Sequence, residues 1–330
     1  MEVKEKRMIG ITTTVPIEII YAAGVIPVDL NNIFISNVHR MGLIERAEID
    51  GFPRNFCSWI KGLYSIALDS GIEEVIGVTQ GDCSNARVLM EVYQLRGIKT
   101  IPFAYPLDRD EGILRLRMEQ LINRLHTSWE CAHDMKVKLD RIRAKVYRID
   151  EMTWKENLIT GFENHYYNIS TSDMEGDFAR FEEKVDRFLK ESSERKMIEE
   201  DVRLGYIGVP PIIEDLYQFI EENGGRVIYN EVQRQFSMPF KTDDLVEQYR
   251  LYTYPYDIFK RIEDIRKEID SRKINGLIHY VQSFCHRQIE DIIIRDKLDI
   301  PILTLECDIP SRLDARSKIR IESFIDMLKK

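Results

Sequence analysis

Short apolar runs of strand length alternate along this chain with segments of helical period, and that alternation occurs twice. Runs at 8–12, 25–30, 75–79 and 100–104 are too short for helices and are punctuated by Gly or Pro. Between them, 16–23, 57–69 and 84–95 carry apolar residues at helical spacing, as in Trp59, Ile60, Leu63 and Ile66. Pro16 suits a helix start, Ser84 or Asn85 a cap, and Gly97 a stop. The pattern returns after residue 200, with strands expected at 205–209, 226–229, 276–281 and 300–306, and helices at 211–222 and 286–298. Strand–helix alternation at these lengths builds βαβ units, hence a parallel sheet.

Residues 109–200 differ. They are rich in charge, with Leu114, Met118, Leu121, Ile122 and Leu125 at helical spacing, and read as several helices, either an insert or an oligomer-forming surface. A length of 330 residues exceeds one ordinary core. The expectation is α/β: two Rossmann- or flavodoxin-like parallel-sheet domains, residues 1–108 and 201–330, with a helical region at 109–200 between them.

The two α/β parts align with each other. Gly10 to Pro16 and Gly205 to Pro211 have the same spacing. Val75-Ile76-Gly77-Val78-Thr79-Gln80-Gly81-Asp82-Cys83 matches Leu277-Ile278-His279-Tyr280-Val281-Gln282-Ser283-Phe284-Cys285. Each is a strand, then Gln-x-x-Cys, then a helix. In this register Cys307 falls opposite Tyr105, at the end of the next strand.

Five cysteines are present, none in a CxxC pair, so neither a disulfide framework nor a local zinc or ferredoxin motif is expected. Cys57, Cys83 and Cys285 stand at helix starts and Cys307 at a strand end. The carboxyl ends of parallel strands form the ligand crevice of open α/β sheets. Helix N-termini favour thiolate, the form that binds iron. These four are therefore the candidate metal ligands; Cys131, in the helical region, is expected to be a packing residue.

The net charge of −9 argues against nucleic-acid binding. No apolar run approaches a membrane span, and the charged N-terminal segment is unlike a signal peptide, so a cytoplasmic location is expected. GxxxxGK[ST], HExxH and GxSxG are all missing, so any use of ATP is expected from a partner. His286 is expected at an exposed helix start, with tuning of a neighbouring metal site as the alternative reading. Glu18 and Glu214 are expected on solvated helix surfaces. The stretch Tyr252-Thr253-Tyr254-Pro255-Tyr256 reads as either core packing or a cleft cover. Arg54, Asn55, Gln80, Gln282, Ser84 and Asn85 flank the cysteines.

Several segments together resemble the 2-hydroxyacyl-CoA dehydratase D-component family, which also includes benzoyl-CoA reductase subunits and double-cubane cluster proteins. They are Pro16-Ile17-Glu18-Ile19-Ile20-Tyr21-Ala22-Ala23-Gly24-Val25-Ile26-Pro27-Val28, Phe56-Cys57-Ser58-Trp59-Ile60-Lys61-Gly62, Gly81-Asp82-Cys83-Ser84-Asn85, Phe284-Cys285, and Ile300-Pro301-Ile302-Leu303-Thr304-Leu305-Glu306-Cys307-Asp308 with Arg320-Ile321-Glu322-Ser323-Phe324-Ile325. The resemblance implies a [4Fe–4S] cluster held by Cys57, Cys83 and Cys285, with the fourth iron open to substrate or a small ligand. It also implies a separate ATP-hydrolysing iron–sulfur activator that delivers a low-potential electron, pairing as a homodimer or as a heterodimer with a paralogue, and an acyl-CoA or other small-molecule substrate.

Two departures bear on that reading. Cys307 stands where many relatives have no cysteine. As a fourth ligand it would cap the cluster and make the chain an electron-transfer or cluster-handling protein instead of a dehydratase-like lyase or reductase subunit. A double cubane needs about six thiolates at three per cubane; five cysteines, one of them read as structural, disfavour it within one chain.

Overall fold

The computed structural model describes residues 7–199 and 201–329. Eight strands form two sheets. The first contains β1 (Met8–Ile11), β2 (Ile26–Asp29), β3 (Glu74–Gln80) and β4 (Lys99–Ala104), in the order β2-β1-β3-β4. The second contains β5 (Val202–Ile207), β6 (Gly225–Asn230), β7 (Gly276–Val281) and β8 (Ile302–Glu306), in the order β6-β5-β7-β8. All pairings are parallel. Every residue of β6 and β7 is buried, as expected where helical crossovers cover both faces of a sheet. The α/β architecture expected from the sequence is the one observed.

The two sheets share strand order and also register. Val75 pairs with Thr100 and Ile76 with Ile101; Leu277 pairs with Ile302 and Ile278 with Leu303. Gly10 faces Val75 as Gly205 faces Leu277. At both glycines a side chain would crowd its neighbour: a Cβ would lie 3.1 Å from Val75 Cγ2 at Gly10, and 2.6 Å from Leu277 Cδ2 at Gly205. The internal repeat seen in the sequence is thus a repeat of topology and pairing.

The chain divides into two compact units. Unit 1 is Met1–Ala144, Ser170–Glu182 and Met238–Tyr256; unit 2 is Lys145–Ile169, Glu183–Ser237 and Asp257–Lys330. The first sheet lies in unit 1 and the second in unit 2. The charged middle of the sequence forms helices Glu111–Leu125, Trp129–Trp154, Gly161–Ile169 and Phe178–Ser193.

Local differences from the sequence reading have physical causes. The helix expected at 211–222 begins only at Leu216. Pro210-Pro211 precedes it, Ile213 bridges to Ser311, and the Asp215 carboxylate accepts from Leu313 N (2.7 Å), so this stretch is held extended. Cys83, not Ser84 or Asn85, takes the N-cap position of helix Ser84–Leu95. Cys131 is exposed instead of packed.

Candidate functional site

In unit 1 the carboxyl end of the sheet is assembled from three strand ends. β1 runs into the buried segment Thr12–Pro16, where Thr12 Oγ1 accepts from Val78 N (3.3 Å). β4 is followed by Tyr105, whose hydroxyl donates to Thr14 O (2.9 Å). β3 leads through Gln80 and Gly81 to Asp82 and Cys83. Gly81 has φ +99, and a Cβ there would stand 2.8 Å from Pro255 Cβ and 3.0 Å from Tyr105 Cβ. Only glycine meets both conditions. The Asp82 carboxylate accepts from Cys83 N (2.7 Å), fixing the approach to the helix that Cys83 caps.

Cys57 caps helix Ser58–Asp69, the crossover that enters β3. In a parallel βαβ unit such a helix starts at the same sheet end where β3 finishes. The loop before Cys57 is pinned by Lys61, which is 1% exposed and donates from Nζ to Glu48 Oε1 (2.7 Å) and Arg54 O (3.0 Å). The two thiols are close enough to interact: burial, then Asp82, then Cys57 push the Cys83 thiol up to about 12, against the pull of the Ala86 and Asn85 backbone N–H groups. Burial therefore outweighs the helix N-terminus that was expected to lower it.

Unit 2 repeats this plan with a different donor. β7 leads through Gln282, Ser283 and Phe284 to Cys285, which caps helix His286–Lys297. Cys285 N donates to Gln282 O (3.2 Å). Phe284 has φ +62 and is 82% exposed, a backbone conformation that large side chains seldom adopt. Cys307 follows β8. Its N–H donates to Val281 O (3.3 Å), and its carbonyl accepts from Tyr280 Oη (2.8 Å) and Gln282 Nε2 (3.3 Å). Ser283 N donates to Asp308 Oδ1 (2.7 Å), so the Cys285 and Cys307 loops are tied together. The Cys307 thiol donates to Ile309 O (3.1 Å), and burial raises its pKa.

The first turn of the helix bearing Cys285 is anchored by buried charge. Arg287 and Arg261 both reach Glu290, and Arg261 forks onto Glu231 through Nε (2.7 Å) and Nη2 (2.9 Å). The position that Cys57 holds in unit 1 is taken in unit 2 by Asp257, whose carboxylate caps helix Ile258–Arg272 at Phe259 N (2.8 Å). Each unit thus brings two of the four candidate thiols to one sheet end: Cys57 with Cys83, and Cys285 with Cys307. None of the five cysteines is in a disulfide. Among the described residues, no three His, Cys, Asp or Glu side chains within either unit gather around one ion position.

Several flanking residues resolve. His286 is exposed, as expected; Glu214 is exposed too, but it stands in the extended stretch before helix Leu216–Glu222 and not on a helix surface. Glu18 is not on a solvated surface. It is fully buried, accepting from Arg143 Nη1 (2.6 Å), Gln248 Nε2 (2.7 Å) and Tyr249 Oη (2.8 Å), and despite burial Arg143 holds its carboxyl below the usual range. Tyr252 and Tyr256 are buried against Tyr105, so that stretch packs into unit 1. A second buried carboxyl, Asp173, accepts from Asp29 N (2.8 Å) and Glu175 N (2.9 Å). Burial and the neighbouring Asp29 push it up to about 7. Local sequence carried no signal for Glu18 or Asp173, because the groups that define them come from distant segments.

Two parallel α/β units of one topology, each presenting cysteines at the carboxyl end of its sheet, define a two-unit α/β protein whose candidate chemistry is that of thiols. Its sequence fits the family model described as 2-hydroxyglutaryl-CoA dehydratase, D-component, over residues 12–328. The chain belongs to that family, a family of dehydratase components. No curated protein sequence matches it. Among the described residues no helix is long and apolar enough to cross a membrane.

Proposed function

We propose that this chain is the iron–sulfur component of an ATP-dependent low-potential reductase or dehydratase system resembling 2-hydroxyacyl-CoA dehydratase. Cys57, Cys83 and Cys285 would hold a [4Fe–4S] cluster, and a separate ATP-hydrolysing activator would supply the electrons. The observation that carries the reading is the register-matched pair Cys83 and Cys285, each presented after Gln-x-x at the end of the third strand of its unit, with Cys57 beside Cys83. Family membership supports the same assignment.

The donor set fits such a group. The Cys83 thiol is held protonated by burial and by neighbouring negative charge, and iron would relieve both penalties by taking the proton's place. When bound, the cluster would supply a one-electron centre at low potential. The chain's own residues do the positioning: Lys61 fixes the Cys57 loop, Asp82 the Cys83 turn, and the Glu231–Arg261–Glu290 lattice the Cys285 helix. Arginines and carboxylates buried beneath a helix start hold it rigidly, since separating either partner leaves an uncompensated charge.

A second reading rests on the bond between Ser283 N and Asp308, which ties the Cys307 loop to that of Cys285. With Cys307 as a fourth ligand the chain would be an electron carrier or cluster-handling protein. Cys307→Ala separates the two. The three-cysteine reading expects unchanged iron content and an unchanged electron paramagnetic resonance spectrum of the reduced protein. The four-cysteine reading expects an altered spectrum or a labile cluster.

A further inference from the structure

The third strand of unit 2 carries a histidine where its counterpart in unit 1 carries a glycine. In the matched register His279 corresponds to Gly77. Gly77 makes room for Met90, since a Cβ there would lie 1.9 Å from Met90 Sδ. In unit 1 an apolar side chain from the helix that Cys83 caps therefore fills the space against the strand. In unit 2 that space is polar. His279 is 0% exposed, and its Nδ1 lies 2.7 Å from Oδ1 of Asp291, on the helix that Cys285 caps. Asp291 also accepts from Thr304 Oγ1 of β8 (2.8 Å) and from Arg295 Nε (2.6 Å). One carboxylate thus joins the strands and the helix that present Cys285 and Cys307.

Asp291 stays ionised: burial pushes its pKa up, but hydrogen bonds from His279, Arg295 and Thr304 hold the carboxyl well below its ordinary range. A carboxylate only accepts, so Nδ1 of His279 carries the hydrogen. Nε2 of the neutral ring then presents a lone pair, and it is enclosed without a hydrogen-bond partner among the described residues. Leaving a buried polar atom unpaired is destabilising, and a bridge to Asp291 needs only Nδ1. What Nε2 offers is a place for a proton whose charge Asp291 already answers. The other charged groups on the elements around the ring have partners of their own. Arg295 is bonded to Asp291 and Thr304. Gly208, after β5, abuts the ring edge, where a Cβ would lie 3.6 Å from His279 Cδ2. Its N–H donates to Glu231 Oε2 (3.2 Å), Glu231 is bonded to Arg261, and Arg261 also reaches Glu290.

We propose that His279 takes up a proton when the centre held by Cys285 is reduced. As one electron arrives from the low-potential donor, Nε2 binds one proton from solvent; an N–H bond forms, no bond breaks, and the imidazolium stays paired with Asp291. His279 stands two residues before the end of β7. A unit charge about 10 Å away, at an effective dielectric of about 20, changes a proton affinity roughly tenfold. The identity of the centre rests on the functional reading above; the geometry of the His279–Asp291 pair does not.

The test is a redox titration of the anaerobically purified full chain with titanium(III) citrate, followed by electron paramagnetic resonance between about pH 5 and pH 9. The wild-type midpoint potential should fall as pH rises, by about 59 mV in total, the one-electron equivalent of a tenfold change. His279→Asn, whose amide N–H replaces Nδ1–H without offering a second ring nitrogen, should flatten the profile and keep the wild-type iron content. Asp291→Asn, which withdraws the compensating charge, should flatten it too and serves where the first variant loses iron. Iron-bearing wild-type protein with a pH-independent potential overturns this proposal alone, as does a wild-type slope that survives either substitution. Wild-type protein without iron removes the functional reading and this proposal with it.

Discussion

Unit 1 and unit 2 have the same strand order, the same register and the same Gln-x-x-Cys turn, yet they stabilise that turn by different means. Unit 1 uses a glycine under Pro255, a buried lysine and one aspartate, and it buries Glu18 among Arg143, Gln248 and Tyr249. Unit 2 uses a lattice of arginines and carboxylates in which most charges have two partners, as Arg261 has Glu231 and Glu290, and Arg272 has Asp150 and Glu268. The parallel sheet fixes where a cysteine is presented, and the packing beneath it is free to vary.

The sharpest way to break this comparison is to remove one charge. Glu18→Ala would leave Arg143, at 4% side-chain exposure, with the half-exposed Asp140 as its carboxylate partner. A loss of about 3–5 kcal/mol is expected, as for other broken buried pairs, read as lost hydrogen-exchange protection in unit 1 while unit 2 keeps its own. Equal loss in both units would mean that the chain unfolds as one body.

A smaller effect is expected at the matched glycines. Gly10→Ala and Gly205→Ala both crowd the central strand, but the contact is tighter at Gly205. Overpacking of this kind costs about 1–3 kcal/mol, so denaturant titration should find Gly205→Ala the more damaging. The reverse order would show that the two sheets do not pack alike.

A pH dependence is also expected in unit 1. Asp173 is pushed up to about 7 from an ordinary 3.8. A group whose folded pKa exceeds its unfolded one favours the fold at low pH and loses that contribution as pH rises through the folded value. Unit 1 should therefore weaken between about pH 4 and pH 7, and Asp173→Asn should flatten the slope. Urea midpoints at pH 5 and 7.5 check both statements.

What the sequence disclosed follows from what is local. Strand and helix periods, and the repeat from Val75 to Cys83 and from Leu277 to Cys285, are written in contiguous residues, and they led to the right class of sheet and to the turns that carry two of the candidate thiols. The Pro210-Pro211 stretch misled, because its anchor at Ser311 and Leu313 lies about a hundred residues away. Glu18 was misread for the same reason, since Arg143, Gln248 and Tyr249 are all distant in sequence. Cys131 shows the cost of a small error in helical phase, since Ala132 beside it is fully buried.

Anaerobic purification with iron and sulfide quantified per chain tests the central claim most directly. About four of each in the wild type is expected for one [4Fe–4S] cluster, with loss of both in Cys83→Ala and in Cys285→Ala, one from each unit. Protein without iron, or iron that survives both substitutions, would contradict a centre held by the two matched turns.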